Sequence, residues 1–148
     1  MYKTDNKRTS ALGKYYVKGH YGNEGSTNII FEEIKPLVLF QIAFWPDTVS
    51  ELETVLNNTL GTKEIPKPGS SISNSNISVL RVEPYKLWVR GVLEESLCNE
   101  NTPMLDLSHS RTNLLISGND TTNLLNRFLP IDLRENSFGI GSVASTMF

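Results

Sequence analysis

One cysteine, Cys98, is all the chain contains, so neither an intrachain disulfide framework nor a thiolate zinc cage can be built from it. The two histidines, His20 and His109, stand apart without H-x-x-x-H or carboxylate spacing, and so offer no recognisable metal-ligand set. No apolar run approaches the roughly 20 residues that a membrane-spanning helix needs. The stretch Thr9 to Asn28 is polar and Gly-rich, where a secretory signal would need an apolar core of about 7–15 residues. No signal peptide is expected, and a reducing cytoplasm is the expected compartment. Charge of one sign is also scarce. Fourteen Lys and Arg against sixteen Asp and Glu leave a net charge of -2, which supplies no field to draw in nucleic acid or a membrane surface.

What is present fits one compact domain. The 148 residues are enough for a real core, and 39% hydrophobic with 20% charged residues is ordinary for a soluble fold. Met1 to Glu33 lacks sustained periodicity and carries Gly13, Gly19, Gly22 and Gly25. It reads as an extended or poorly ordered arm, residues 1–33, whose start is basic through Lys3, Lys7, Arg8, Lys14 and Lys18. The α+β domain proper is expected over residues 34–148. Ile34 to Trp45 is apolar on both alternating faces, the pattern of a central strand covered on both sides. Pro46-Asp47-Thr48 then starts a helix, with Asp47 or Thr48 as acceptor for a free N–H of the first turn. Val49, Leu52, Leu56 and Leu60 share one helical face, and Gly61 stands where a left-handed residue ends the helix.

Beyond a Pro- and Ser-rich loop, Ile77–Val82 and Leu87–Val92 alternate around Glu83-Pro84-Tyr85-Lys86, which predicts an antiparallel hairpin. Residues 94–102 are polar and loop-like or briefly helical. Short strands are expected over 104–108 and 112–117. A helix capped by Ser117, Asn119 or Asp120 should run to about Phe128, with Leu124, Leu125 and Phe128 facing inward, before Pro130 stops it. Residues 143–148 start another strand. The expected architecture is α+β: an antiparallel or mixed sheet with helices packed on one side, and a last strand whose edge another chain would cover.

No cluster announces a reaction. Asp106, Ser108 and His109 are the residue types of a hydrolytic triad. In a strand, however, Asp106 and Ser108 point to one face and His109 to the other, and the G-x-S-x-G elbow is missing. They read instead as groups that satisfy backbone at a bend. Arg111 offers five fixed donors suited to a carboxylate or several carbonyls. Asp106 and Asp132 are its candidate partners, with a structural pairing favoured over an intersubunit contact. Gly139-Ile140-Gly141-Ser142-Val143-Ala144 matches G-x-G-x-x-A without the acidic residue about 20 positions on that a dinucleotide site needs. Trp45 and Trp88 read as core or interface anchors.

The order of one block carries more than any single residue in it. Asp106-Leu107-Ser108-His109-Ser110-Arg111-Thr112 precedes an apolar strand, Ser117-Gly118, a short helix, Pro130-Ile131-Asp132-Leu133, and then Phe138 and Gly141. This block resembles the gamma subunit family of heterotetrameric sarcosine oxidase. In that family an Asp-Leu-Ser-His-Gly-Arg-Thr motif is followed by an apolar strand, a Ser-Gly helix start and a Pro-hydrophobic-Asp-Leu segment. Gln41, Trp45, Pro46, Pro84 and Trp88 extend the resemblance upstream, so that it covers Leu37 to the C-terminus. Ser110 stands where the family has Gly, and Phe128-Leu129 where it has Gly-Cys. The family usually continues with more strand and a final helix, which implies a shortened member or a fragment, incomplete at the C-terminus.

The resemblance implies an aminomethyltransferase-like fold, related to the N-terminal part of folate-dependent aminomethyltransferases, and a non-catalytic accessory subunit. Its partners would be the alpha, beta and delta subunits of a complex that oxidatively demethylates sarcosine to glycine and passes the one-carbon unit to tetrahydrofolate. FAD, FMN, NAD, zinc and tetrahydrofolate would be held by those partners, with none bound by this chain alone. The family provides no catalytic, cofactor-binding or metal residue to transfer. Asp106, Ser108, His109, Arg111, Gly118, Asp132 and Phe138 are the motif residues expected to act in structure or at a subunit interface. The rival expectations are a stand-alone folate-binding aminomethyltransferase-like protein and a stand-alone binding domain with an unrelated partner.

Overall fold

The computed structural model describes residues 10–21, 29–92 and 99–147. The basic start at Lys3, Lys7 and Arg8, the early glycines Gly22 and Gly25, Cys98 and most of the polar segment 94–102 lie outside those residues. Among the described residues, eight strands and two α-helices follow in the order β1 Gly19–Tyr21, β2 Ile29–Glu33, β3 Leu39–Ala43, α1 Val49–Leu60, β4 Ser71–Ser73, β5 Ser78–Glu83, β6 Lys86–Arg90, β7 Met104–Asp106, β8 Leu114–Ser117 and α2 Thr121–Leu125. They form a five-stranded sheet ordered β4-β5-β6-β3-β7 and a three-stranded sheet ordered β1-β2-β8. Every strand pairing among the described residues is antiparallel. The fold is α+β.

The strand–helix unit expected from the alternation of residues 34–45 is present and central. β3 lies between β6 and β7, with Gln41 opposite both Trp88 and Leu105. Its even positions belong to the main core. Ile42 and Phe44 pack there with Leu52, Val55 and Leu56 of α1 and with Val79, Leu87 and Val89 of β5 and β6. Fully burying each such side chain contributes about 1.5–3 kcal/mol, which is what holds α1 on this face of the sheet. The odd positions face the other way, and Leu39 joins Leu37 and Leu107 in a smaller cluster beside Trp88. Gly61 ends α1 at φ 75°, its N–H bonded to the carbonyl of Asn57 at 2.9 Å. At the start, the Thr48 hydroxyl accepts the N–H of Trp45 at 2.9 Å. The side chain therefore closes the turn backwards onto the preceding strand end, and does not cap the first turn of the helix.

Three expectations are corrected. First, the segment expected as an arm supplies two strands within its described part. β1 pairs with β2, and β2 with β8 (Phe31 opposite Ile116). The Tyr16 hydroxyl accepts the N–H of Glu33 at 2.6 Å, which holds the preceding turn onto the same sheet. Second, α2 is only five residues long and ends at Leu125, and Phe128 is exposed, not inward-facing. Beyond the helix the Asn126 side-chain oxygen accepts the N–H of Leu133 at 2.8 Å, which ties together the turns on either side of Pro130. Third, residues 143–147 form no strand. The segment instead crosses the edge of β4. The N–H of Ser71 donates to the carbonyl of Gly141 at 2.8 Å, and that of Val143 to the carbonyl of Gly69 at 2.8 Å.

Candidate functional site

Asp106 closes β7, and the block that follows it is a chain reversal fastened to β3. One Asp106 carboxylate oxygen accepts the N–H of Ser108 at 2.7 Å, and Ser108, first through its side chain and then through this N–H, holds the carboxyl below the ordinary Asp range. The Ser108 hydroxyl then takes the place of the next residue in the ladder. It accepts the N–H of Leu39 at 3.0 Å and donates to the carbonyl of Leu39 at 3.3 Å. The N–H of Leu107 donates to that same carbonyl at 2.8 Å, and the Leu107 side chain enters the cluster with Leu37 and Leu39. Ser110 closes the turn by donating its N–H to the carbonyl of Leu107 at 3.0 Å. The Asp-Leu-Ser sequence thus extends the β3–β7 pairing by one rung after the strand has begun to turn away.

That reversal sets Arg111 at the end of the turn. Its side chain is exposed, with Nη1 donating to the carbonyl of Ser110 at 3.0 Å and the guanidinium 5.7 Å from the centre of the Trp88 ring. The side chain is thus not buried as expected of it, and Asp132, one of its two expected partners, is held elsewhere. The carboxylate of Asp132 is gripped from two sides by Arg134, Nε to Oδ1 at 2.8 Å and Nη2 to Oδ2 at 2.7 Å, with the Ser137 hydroxyl added at 2.9 Å. These bonds hold Asp132 well below the usual carboxylate range. His109 lines a concavity together with Ser10, Lys35, Pro36 and Leu37. Gly118 takes φ 114°, a conformation that glycine alone adopts readily, to turn the chain from β8 toward α2. Phe138 is half-buried, its N–H bonded to the carbonyl of Arg134 at 2.8 Å. The motif residues therefore occupy three places: Asp106 to Arg111 at β3, Gly118 between β8 and α2, and Asp132 with Phe138 in the turns after α2.

Arg111 borders a second concavity, on the face of the five-stranded sheet opposite α1. The cavity holds about 340 Å³. Its construction follows from strand register. Ser71 of β4 stands opposite Leu80 of β5, Leu80 opposite Trp88 of β6, and Trp88 opposite Gln41 of β3. One rung along, Ser73 faces Ser78, Ser78 faces Arg90, and Arg90 faces Leu39. Serines at the β4 and β5 positions are too small to fill the layer that Trp88, Leu80 and Leu39 begin, so a hollow remains between them. Leu37, Leu39, Leu80 and Trp88 give it an apolar floor; Arg90, Arg111, Thr112 and Asn113 form part of the polar rim. None of the described residues lining it is Asp or Glu. Sequence reasoning named Arg111 and Trp88 but missed Arg90 and the serines. The signal was the alternation Ser-Ile-Ser and Ser-Val-Leu-Arg, which puts small polar residues on one face and core residues on the other. Among the described residues no three His, Cys, Asp or Glu side chains gather as a metal site, and no helix is long and apolar enough to cross a membrane.

No protein-family model matches the chain, and no curated protein matches it. Among solved structures it is similar to a chain of the heterotetrameric sarcosine oxidase from Corynebacterium sp. U-96, solved in complex with pyrrole 2-carboxylate. The TM-score is 0.70 at 19% sequence identity, over 84% of this chain and 67% of that one. At this identity the likeness is one of fold.

Proposed function

We propose that this chain is the non-catalytic gamma subunit of a heterotetrameric sarcosine oxidase complex, one that oxidatively demethylates sarcosine to glycine and passes the one-carbon unit to tetrahydrofolate. In this reading alpha, beta and delta subunits are its partners, and they carry FAD, FMN, NAD, zinc and tetrahydrofolate. The observation that carries the reading is the shared fold: 84% of the chain superposes on a chain of such a heterotetramer. The sequence block from Asp106 to Arg111 adds to it. That block belongs to the fold's construction, since Ser108 and Leu107 bind the backbone of Leu39, and a building role is what an accessory subunit needs of its motif. Apolar side chains left in solvent also support the reading. Leu114 and Leu115 are exposed on β8, whose outer edge pairs with no described strand, and Tyr21 is exposed on β1 of the same sheet. A scaffold subunit buries such a surface against its neighbours.

The test is affinity purification of the tagged full chain from its native cell extract, with mass spectrometry and a flavin absorbance scan of the eluate. Co-purification of large flavin-bearing subunits is expected. A lone, colourless chain from an extract known to contain those subunits would refute the reading.

A further inference from the structure

We propose that the cavity over Trp88 is a binding site for a small carboxylate with an apolar body. Its size, about 340 Å³, falls within the range of small-ligand pockets, about 300–1,000 Å³, and it is a hollow in a sheet face, not a flat surface. Its chemistry is divided in the way such a ligand is divided. Leu37, Leu39, Leu80 and the Trp88 indole form a floor that favours an apolar body. Two guanidinium groups stand at the rim and no described acidic residue lines the cavity. Arg90 reaches in from the end of β6, where its Nη2 donates to the Ser78 hydroxyl at 3.4 Å. That bond is long and weak, so a carboxylate can replace it with little loss. Arg111 arrives from the other side on the reversal after β7, its guanidinium set over the Trp88 face. A planar guanidinium pairs a carboxylate through two parallel N–H donors, and that pairing is stronger than a neutral hydrogen bond. The proposal does not depend on the subunit reading, because the cavity is formed by the chain alone.

The test is a titration of the full chain carrying Trp45→Phe, which leaves Trp88 as the only one of the two tryptophans and makes the emission report on the cavity floor. Benzoate is the probe, with benzamide as a neutral probe of the same shape and inorganic phosphate as an anion without an apolar body. Saturable change with benzoate below about 10 mM is expected. Benzamide should bind at least about tenfold more weakly, because the charge-assisted bonds are lost, and phosphate should not compete. Arg111→Gln and Arg90→Gln should each weaken benzoate at least about tenfold while melting close to the parent. Ser78→Leu, which fills the hollow from β5, should abolish binding, and it decides the matter if an arginine variant fails to fold. No saturable response to benzoate, equal affinity for benzamide, displacement by phosphate at equal concentration, or unchanged binding in the folded arginine and Ser78→Leu variants would each overturn the proposal. Because the titration uses isolated protein, it can fail while the affinity purification succeeds, and the reverse.

Discussion

Ser108→Ala removes one oxygen atom from an exposed-looking turn, yet its cost should be that of a core defect. The hydroxyl serves both backbone groups of Leu39, at 3.0 and 3.3 Å, and Leu39 is only 6% exposed. The carbonyl of Leu39 keeps the N–H of Leu107 at 2.8 Å, so it survives the substitution satisfied. The N–H of Leu39 loses the acceptor that β7, already turning away, does not otherwise provide. An orphaned buried donor costs about 1–3 kcal/mol. Taking about 2 kcal/mol, and about 2–4 °C per kcal/mol for a chain of this size, the melting temperature should fall by about 4–8 °C. Ser110→Ala is the matched control. Its hydroxyl donates to the carbonyl of Leu107, which already holds the Ser110 N–H at 3.0 Å, so the change should stay within about 0.5 kcal/mol. Circular dichroism melts of both variants, with urea titrations to show an unchanged denaturant slope, make the comparison. Hydrogen exchange at the Leu39 amide should accelerate in Ser108→Ala alone. Melts of the two variants within about 1 °C of each other and of wild type would refute the claim that Ser108 completes the β3 ladder.

Three further outcomes are expected. Ile42→Ala opens a hole at a fully buried position beneath α1 and should cost about 2–5 kcal/mol in a denaturant titration; a cost below about 1 kcal/mol would mean that the α1–sheet packing is not as described. Gly91→Ala should destabilise, because Gly91 has φ 124° and an added Cβ would stand 2.6 Å from the Asn76 carbonyl oxygen; strain of about 1–3 kcal/mol is read from its melt, and a wild-type melt would contradict that backbone. The Asp132 carboxyl is held below its ordinary value of 3.8, first by Arg134 and then by Ser137. A group depressed in the folded state stabilises above its unfolded pKa, and that stability is lost as pH falls through the folded pKa. Asp132→Asn should therefore be less stable than wild type at neutral pH, with the gap closing only in strong acid; a gap constant across acid pH would refute the linkage.

Where local chemistry sets structure, the sequence was readable. β3 shows the two-residue period of a strand, α1 the helical period of Leu52, Leu56 and Leu60, and Gly61 ends α1 because a left-handed residue is required there. The hairpin β5–β6 is set by a turn beside Pro84. β1 and β2 were not legible, because Ile29-Ile30-Phe31-Glu32-Glu33 has no clean alternation and its partner β8 lies far along the chain. Helical period alone also carried α2 past Leu125, since nothing in Leu124-Leu125 and Phe128 shows that the chain beyond folds into turns, tied by the Asn126 side chain accepting the Leu133 N–H. The backbone role given to Asp106 and Ser108 was visible in their types, but their target, Leu39, was not. Burial of Arg111 was inferred from its chemistry alone, and exposure is decided by what packs around it. The cavity escaped for a related reason: it is defined by what serines fail to fill across four strands, and an absence of volume has no signature in one linear segment.

The central place of β3 has a consequence for synthesis. Both of its ladder neighbours come later in the chain, and Gln41 must wait 47 residues for Trp88. At translation rates of about 5–20 residues per second, the segment Leu39–Ala43 spends about 2–10 s with both backbone edges unpaired. The chain's order limits the danger. α1 emerges directly after β3 and can cover Ile42 and Phe44 with Leu52, Val55 and Leu56, so half of the strand's apolar surface is sheltered before any sheet exists. The charges of Glu32, Glu33 and Lys35, with Pro36 beyond them, stand just upstream, where like features discourage intermolecular strand pairing. A nascent chain can thus carry its most aggregation-prone strand as a strand–helix unit until β6 and then β7 arrive to close it in.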